Sequence, residues 1–430
     1  MAYSDDIAAL GADHHWDFDG DSTDQIGSAN GTDTSVLYTS SAIAEDATNC
    51  AETDAVTDRI SIPTTTDINN SAQSRKAVGG WFMATAIQNP PKNIYGEGDA
   101  TQAFRFILGW GNNLVFEVDD PSFTLQIFGD TYLEVNRAYH MLMIFEGNGY
   151  GNELRAYLDG VEQLEASPAD RQPDAATLTA RSVAEFGDPA GTVAVGGTAV
   201  ILIAPINGKW NHWATWDGED AVLTDTEVRE TLFERGALAG VTISSGTESA
   251  MQTALDAYSA TTRGNAALCI EVEAVSGGGD FTLDIDDITF NALASIHIRY
   301  NGTADTLTLR NINGSNCSIV SAPFGGSIEV FTEVTVTVTV QDVTDSSDIE
   351  NARVYLLAGA GGDLTEGTLI TSSLTNSSGI VTFSFDYSSD QPVVGYARKG
   401  TTTPLYVEGV IGGTITEDGL TLTVLLIPDE

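Results

Sequence analysis

Four aspartates, Asp17, Asp19, Asp21 and Asp24, fall close together near the start of the chain. Hard cations take several oxygen ligands at about 2.3–2.6 Å, so clustered carboxylates and loop carbonyls suit them. The ion such a site would take is Ca²⁺, and no cofactor is required. An EF-hand is excluded, because Gly is absent from the sixth position and the twelfth is Ser28 rather than Glu. The same run also suits a solvated strand face leading into an Asp-rich turn. A second group is aromatic: Trp110 with Asn112 and Asn113, and Tyr150 with Asn148 and Asn152, each on a Gly/Asn-rich turn. Sugars are held this way, CH groups against a ring and hydroxyls on side-chain amides; turn chemistry alone explains the same residues. A third group is Glu117 with Asp119, two apart and so on one strand face, the arrangement that paired-carboxylate glycoside chemistry needs. The five histidines, His14, His15, His140, His212 and His297, show no H-E-x-x-H spacing and are expected to pack or to lie on the surface. Metal-spaced cysteine pairs, a P-loop, a G-x-S-x-G elbow and a nicotinamide fingerprint are missing.

These residues must be carried by β-structure. Trp16 and Phe18 share one side of a strand, with Asp17 and Asp19 on the other. Short alternating or apolar runs bounded by Gly, Asn, Asp or Pro predict strands at 59–62, 77–86, 104–110, 114–118, 123–128, 138–145, 153–158 and 201–206. Asp159-Gly160 predicts a hairpin turn. Thr224 followed by Glu227 reads as a capping box, with Val228, Leu232 and Phe233 on one helix face. Residues 1–240 are therefore expected as one two-sheet sandwich, with Trp81, Phe82, Phe106, Ile144, Phe145 and Tyr157 buried between its sheets. Residues 241–265 read as a connector with a short helix whose Met251 and Leu255 share a face. Residues 266–330 hold alternating strands about a dozen residues apart, which fits either a small sandwich or short rungs of a β-solenoid. Residues 331–430 open on the alternating β-branched run Val334 to Val340 and read as a further sandwich.

Composition narrows the function. Of 430 residues, 18 are Lys or Arg and 61 are Asp or Glu, a formal charge of −43. Neutralising phosphates needs clustered cations, so nucleic-acid binding is excluded, and anionic lipid attracts no such chain. The longest apolar run, Val193 to Ile206, is interrupted and too short to span a bilayer. Apolar residues make up 42 %, enough for sizeable cores. Cys50, Cys269 and Cys317 can form at most one pair, which the sequence does not choose. The N-terminus carries neither a basic region nor an apolar one, so a product made in the cytosol is expected.

The strand Trp16 to Phe18, the Arg59-Ile60-Ser61-Ile62-Pro63 run, Gly80-Trp81-Phe82, Tyr139-His140 and Tyr157-Leu158-Asp159-Gly160 occur in an order that resembles laminin-G-like and pentraxin-like domains of the concanavalin-A-like lectin/glucanase family. The closing strand Asn207 to Trp216 and the short helix after Thr224 fit the same pattern. That resemblance implies a binding module, most often for sugars. Glucanases of the family place a further Glu after Glu117-Val118-Asp119; here Pro121-Ser122-Phe123 follows Asp120, so no enzyme is expected. The segment Ile349 to Leu356 followed by Thr375 to Phe383 resembles carboxypeptidase regulatory-like, transthyretin-like domains, which imply a stalk or spacer. The string of modules resembles bacteriophage virion proteins such as head decorations, spikes or tail fibres. The expectation is an all-β, oligomeric virion protein whose partners are other virion proteins and a cell-surface glycan, with no nucleic acid and no membrane insertion. A bacterial secreted lectin or surface adhesin, extracellular or on the cell surface, is the alternative, and a glycoside hydrolase a more distant one.

Overall fold

The structure, a computed structural model, describes residues 2–54, 58–62, 75–87, 92–98, 103–120, 123–146, 154–163, 184–186, 191–195, 198–202, 206–257, 267–286, 288, 290, 294–312, 317–362, 364–416 and 418–429. It is nearly all β, and its first half is a two-sheet sandwich. One sheet runs in the order Val161–Glu162, Leu154–Leu158, Ala138–Glu146, Arg75–Ala84, Gly208–Asp217, Cys50–Thr53, Leu37–Thr39, with His14–Trp16 also on Gly208–Asp217. The facing sheet runs Phe123–Tyr132, Asn113–Asp120, Ala103–Leu108, Lys92–Gly98, Ala184–Phe186, Arg59–Ile62, Thr32–Thr34. Every pairing in both is antiparallel.

The first sheet is buried on both faces, which corrects part of the expected core. Phe82, Phe106 and Phe145 lie between the sheets with Trp16, Trp210 and Trp213. Trp81, Ile144 and Tyr157 are equally buried but point the other way. There they meet Tyr3 and Ile7 of the N-terminal helix Tyr3–Ala9, and Val228, Leu232 and Phe233 of the helix Glu227–Glu234. The capping box forms as expected, with Thr224 and Glu227 exchanging backbone and side-chain hydrogen bonds. Asp159 (φ +50°) and Gly160 (φ +72°) make the left-handed pair of a tight hairpin. Gly160 also lies under that helix, where a Cβ would sit 3.0 Å from Arg229 Cα.

The middle segment is a small parallel β-solenoid. Ala239–Ile243, Leu268–Val272, Ile296–Tyr300 and Val320–Ser321 stack in parallel as one sheet. Phe281–Asp286, Thr306–Ile312 and the start of Ser327–Asp342 stack in parallel as the other. The chain alternates between the two, and Leu283, Ile285, Ile298, Leu307 and Leu309 fill the space between them. The segment expected as a connector supplies the first strand and a capping helix, Glu248–Asp256. Gln252 of that helix donates to the Asp284 carbonyl (2.8 Å) and accepts from the Asp284 N–H (2.7 Å), satisfying an edge strand that would otherwise template foreign pairing.

Ser327–Asp342 then leaves the solenoid without a break. Its first half pairs with Thr306–Ile312, and its second lies between Ile380–Tyr387 and Leu420–Leu426 in the C-terminal sandwich. The opposing sheet there runs Leu369–Leu374, Arg353–Ala358, Gln391–Lys399, Tyr406–Ile415. No described helix is long and apolar enough to cross a membrane.

Candidate functional site

The four N-terminal aspartates do not converge. The strand expected to carry them stops at Trp16, and Phe18 adopts φ +58°, so the alternation that would align Asp17 and Asp19 is broken. Asp17 accepts from the Asp19 N–H (3.1 Å) and Asp21 from the Thr23 N–H (2.8 Å), each closing a local turn. Asp19 takes the Thr48 hydroxyl (2.9 Å) and the Asn49 backbone N–H (2.7 Å). Asp24 is buried, bonded to His14 Nδ1 (2.5 Å) and to the N–H groups of His15 (3.1 Å), Gly27 (2.9 Å) and Ala29 (2.8 Å). Burial alone would raise its pKa; the His14 and backbone bonds outweigh that and hold the carboxyl well below the usual range. Among the described residues, no group of three or more His, Cys, Asp or Glu is placed to hold a metal ion. These aspartates organise the loop that crosses the bulged strand Gly208–Asp217.

Glu117 lies on the outer face of the second sheet, opposite the core-facing Phe116 and Val118. Cross-strand register places it between Arg105 and Gln126, and both bond its carboxylate. Glu117 is fully buried. Sequence reasoning missed Arg105; the one signal was the shared parity of Phe104-Arg105-Phe106 and Phe116-Glu117-Val118, which the strand register brings side by side. A carboxylate held by a guanidinium and an amide is built for structure. The chain is expected to leave β-glucans uncleaved, measured as released reducing ends, and a cleavage that Glu117→Gln abolishes would overturn that expectation.

All five histidines are buried. Burial pushes the pKa of His15 down to about 3, of His140 to about 3 and of His212 to about 4. His15 Nε2 and His212 Nδ1 are 3.1 Å apart, and Tyr3 packs edge-on against His212.

The aromatic turn at 110–113 is the remaining candidate. Asn112 (φ +71°) is turned inward: its side chain donates to the Leu133 carbonyl (3.1 Å) and its carbonyl accepts the Leu133 N–H (2.9 Å). It anchors the turn and offers no amide to a sugar. Asn113 opens the next strand and pairs with Tyr132, which sequence reasoning missed and which is 64 % exposed beside Gly111. The Trp110 side chain, and Asn148, Tyr150 and Asn152, lie outside the described residues.

Charged pairs bind the sandwich to the solenoid. Arg137 bonds Asp159 (2.9 Å) and Ser295 (2.8 Å). Arg299 bonds Glu45 (3.0 Å), Glu271 (2.7 Å) and the carbonyls of Glu234 (2.7 Å) and Ala237 (2.8 Å). Beside it a cleft of about 180 Å³ is lined by Tyr3, Asp6, Glu45, Arg235 and Phe324 among others. Asp6 in this cleft pairs with Arg235 (2.7 Å), which lies over the Phe324 ring.

The sequence matches no protein-family model and no curated protein. Among solved structures it is similar to domain 4 of AbnA, a GH43 extracellular arabinanase from Geobacillus stearothermophilus, in complex with arabinotriose, at 16 % identity and TM-score 0.39 over 51 % of this chain and 98 % of that one. It is also similar to the botulinum neurotoxin serotype D binding domain, at 13 % identity and TM-score 0.39 over 52 % of this chain and 51 % of that one. Trypanosoma rangeli sialidase in complex with the inhibitor DANA matches at 14 % identity and TM-score 0.33, covering 52 % of this chain and 32 % of the sialidase.

Proposed function

We propose that the chain is a non-enzymatic display protein that presents a carbohydrate-binding sandwich on a stiff β-stalk, as a component of a bacteriophage virion. The observation that carries this reading is the unbroken strand Ser327–Asp342, which is the last rung of the solenoid and a central strand of the C-terminal sandwich at once. A hinge between two modules is an exposed linker with few crossing contacts; here backbone ladders run straight through. A stiff stalk with a packed joint at its other end holds the first sandwich at a fixed distance and orientation. The sugar site is the open end of that sandwich, where exposed Tyr132 stands beside the 110–113 turn and pairs with its half-buried Asn113. Shallow sugar sites bury little area, so one copy binds weakly and several copies on one scaffold raise avidity by about 10²–10⁴. A cell-surface glycan and neighbouring virion proteins are the partners, and Ca²⁺ has no part in this reading.

A glycan array probed with the full chain tests it. Binding is expected, and Tyr132→Ala weakens it at least about tenfold, or about 1.4 kcal/mol. An array on which neither multivalent nor monomeric chain binds any glycan contradicts the sugar reading. The chain's absence from purified particles by mass spectrometry contradicts the virion reading separately.

A further inference from the structure

The outer face of the C-terminal four-stranded sheet is apolar and open. Strand register lines up two rows across it. Leu369, Leu357 and Val394 form one; Tyr355, Tyr396 and Val410 form the core of the next, with the two tyrosine rings stacked 5.3 Å apart. Val410 is 84 % exposed, and Val394 and Leu369 are each 51 % exposed. Four strands wide and about six residues long, the face covers roughly 400 Å², the size of patch that marks an interaction site on a monomer.

We propose that this face packs against the same face of a second copy of the chain across a two-fold axis. Charge selects the partner. A chain of net charge −43 repels its own copies over most of its surface. Here the two apolar rows hold no acid, and the row beside them carries Arg353 and Arg398 against the single exposed acid Glu408, which leaves that end net positive. These arginines lie at one end of the strands. Exposed Glu366 lies at the other end, in the loop between Arg353–Ala358 and Leu369–Leu374. A two-fold axis lying in the interface and running across the strands sets the arginine end of each copy over the Glu366 end of its mate, an isologous contact complementary in charge. The area is about half of the ~800 Å² that each partner gives to a standard interface, so the dimer is expected to be reversible at micromolar concentration. This inference stands apart from the sugar reading, because no residue of the first sandwich enters it.

Sedimentation velocity of the full chain tests the proposal. The wild-type chain should show a concentration-dependent dimer. Val394→Glu, and independently Val410→Glu, should reduce it to monomer with an unchanged thermal unfolding midpoint. Arg398→Glu should weaken the dimer at least about tenfold, and adding Glu366→Arg should restore it. A wild-type chain that stays monomeric through the micromolar range overturns the proposal, as does a dimer that survives both glutamate substitutions. Failure of the charge swap to restore association overturns the two-fold arrangement.

Discussion

Arg299→Ala is expected to lower the stability of the chain by about 3–5 kcal/mol, the cost of leaving buried partners without their ion. Arg299 is 1 % exposed and serves both sides of the joint. Its side chain reaches back to the carbonyls of Glu234 and Ala237 in the sandwich, and sideways to Glu271 on the neighbouring solenoid rung. Removing it leaves several buried carbonyls without a donor and takes the cation from Glu271 and the partly exposed Glu45. Arg299→Met keeps most of the buried stem, so a similar loss there assigns the effect to the guanidinium rather than to packing. All six tryptophans precede residue 217, so fluorescence in a urea titration follows the sandwich alone. A loss under about 1 kcal/mol in both variants would show that the joint does not depend on this residue.

Acid should unfold the first sandwich from an unusually high pH. His15, His140 and His212 are held neutral by burial, with pKa values of about 3, about 3 and about 4 against an ordinary value of 6.5. Below 6.5 the unfolded chain takes up protons that the folded chain refuses, so stability rises with pH across the window from about 4 to 6.5 and is lost as pH falls through it. Each such histidine is worth on the order of 3–4 kcal/mol when the window is fully crossed. Asp24 acts in the same direction at lower pH: its pKa is depressed, so its contribution is present above 3.8 and lost as pH falls below. Asp6, Asp17, Glu45 and Asp159 oppose this, because burial raises their pKa values and protonation relieves them. The expected result is an unfolding midpoint that falls steadily from pH 6.5 to 4. His140→Phe should flatten the slope while keeping the edge contact with Trp81. A midpoint unchanged between pH 7 and 4 would contradict the burial of these rings.

Local rules were readable where one residue type decides the backbone. The Asp159-Gly160 turn, the Thr224–Glu227 cap and the Arg59–Ile62 strand stand as their residues indicated. Which way a strand faces was readable only where one side meets water. Arg75–Ala84 and Ala138–Glu146 are apolar on both faces, so nothing in their run separates Phe82 from Trp81 or Phe145 from Ile144. Alternation in Leu268–Val272 and Phe281–Asp286 fitted parallel rungs and antiparallel sandwich strands equally, because period two is common to both. Asp17 and Asp19 looked aligned until the left-handed turn at Phe18 separated them, a conformation that a bulky residue seldom adopts and no local pattern announces. Arg105 and Arg299 find their partners through tertiary register, and Tyr132 comes beside the 110–113 turn the same way.

Hydrogen–deuterium exchange of the full chain, free and saturated with the tightest glycan from the array, locates the sugar directly. Protection is expected in 108–113 and 132–136, at the open end of the first sandwich, with no change around Arg105, Glu117 and Gln126. Protection confined to the sheet face that holds Glu117, or none anywhere in the first sandwich, would contradict a display module that reads sugars through its end loops.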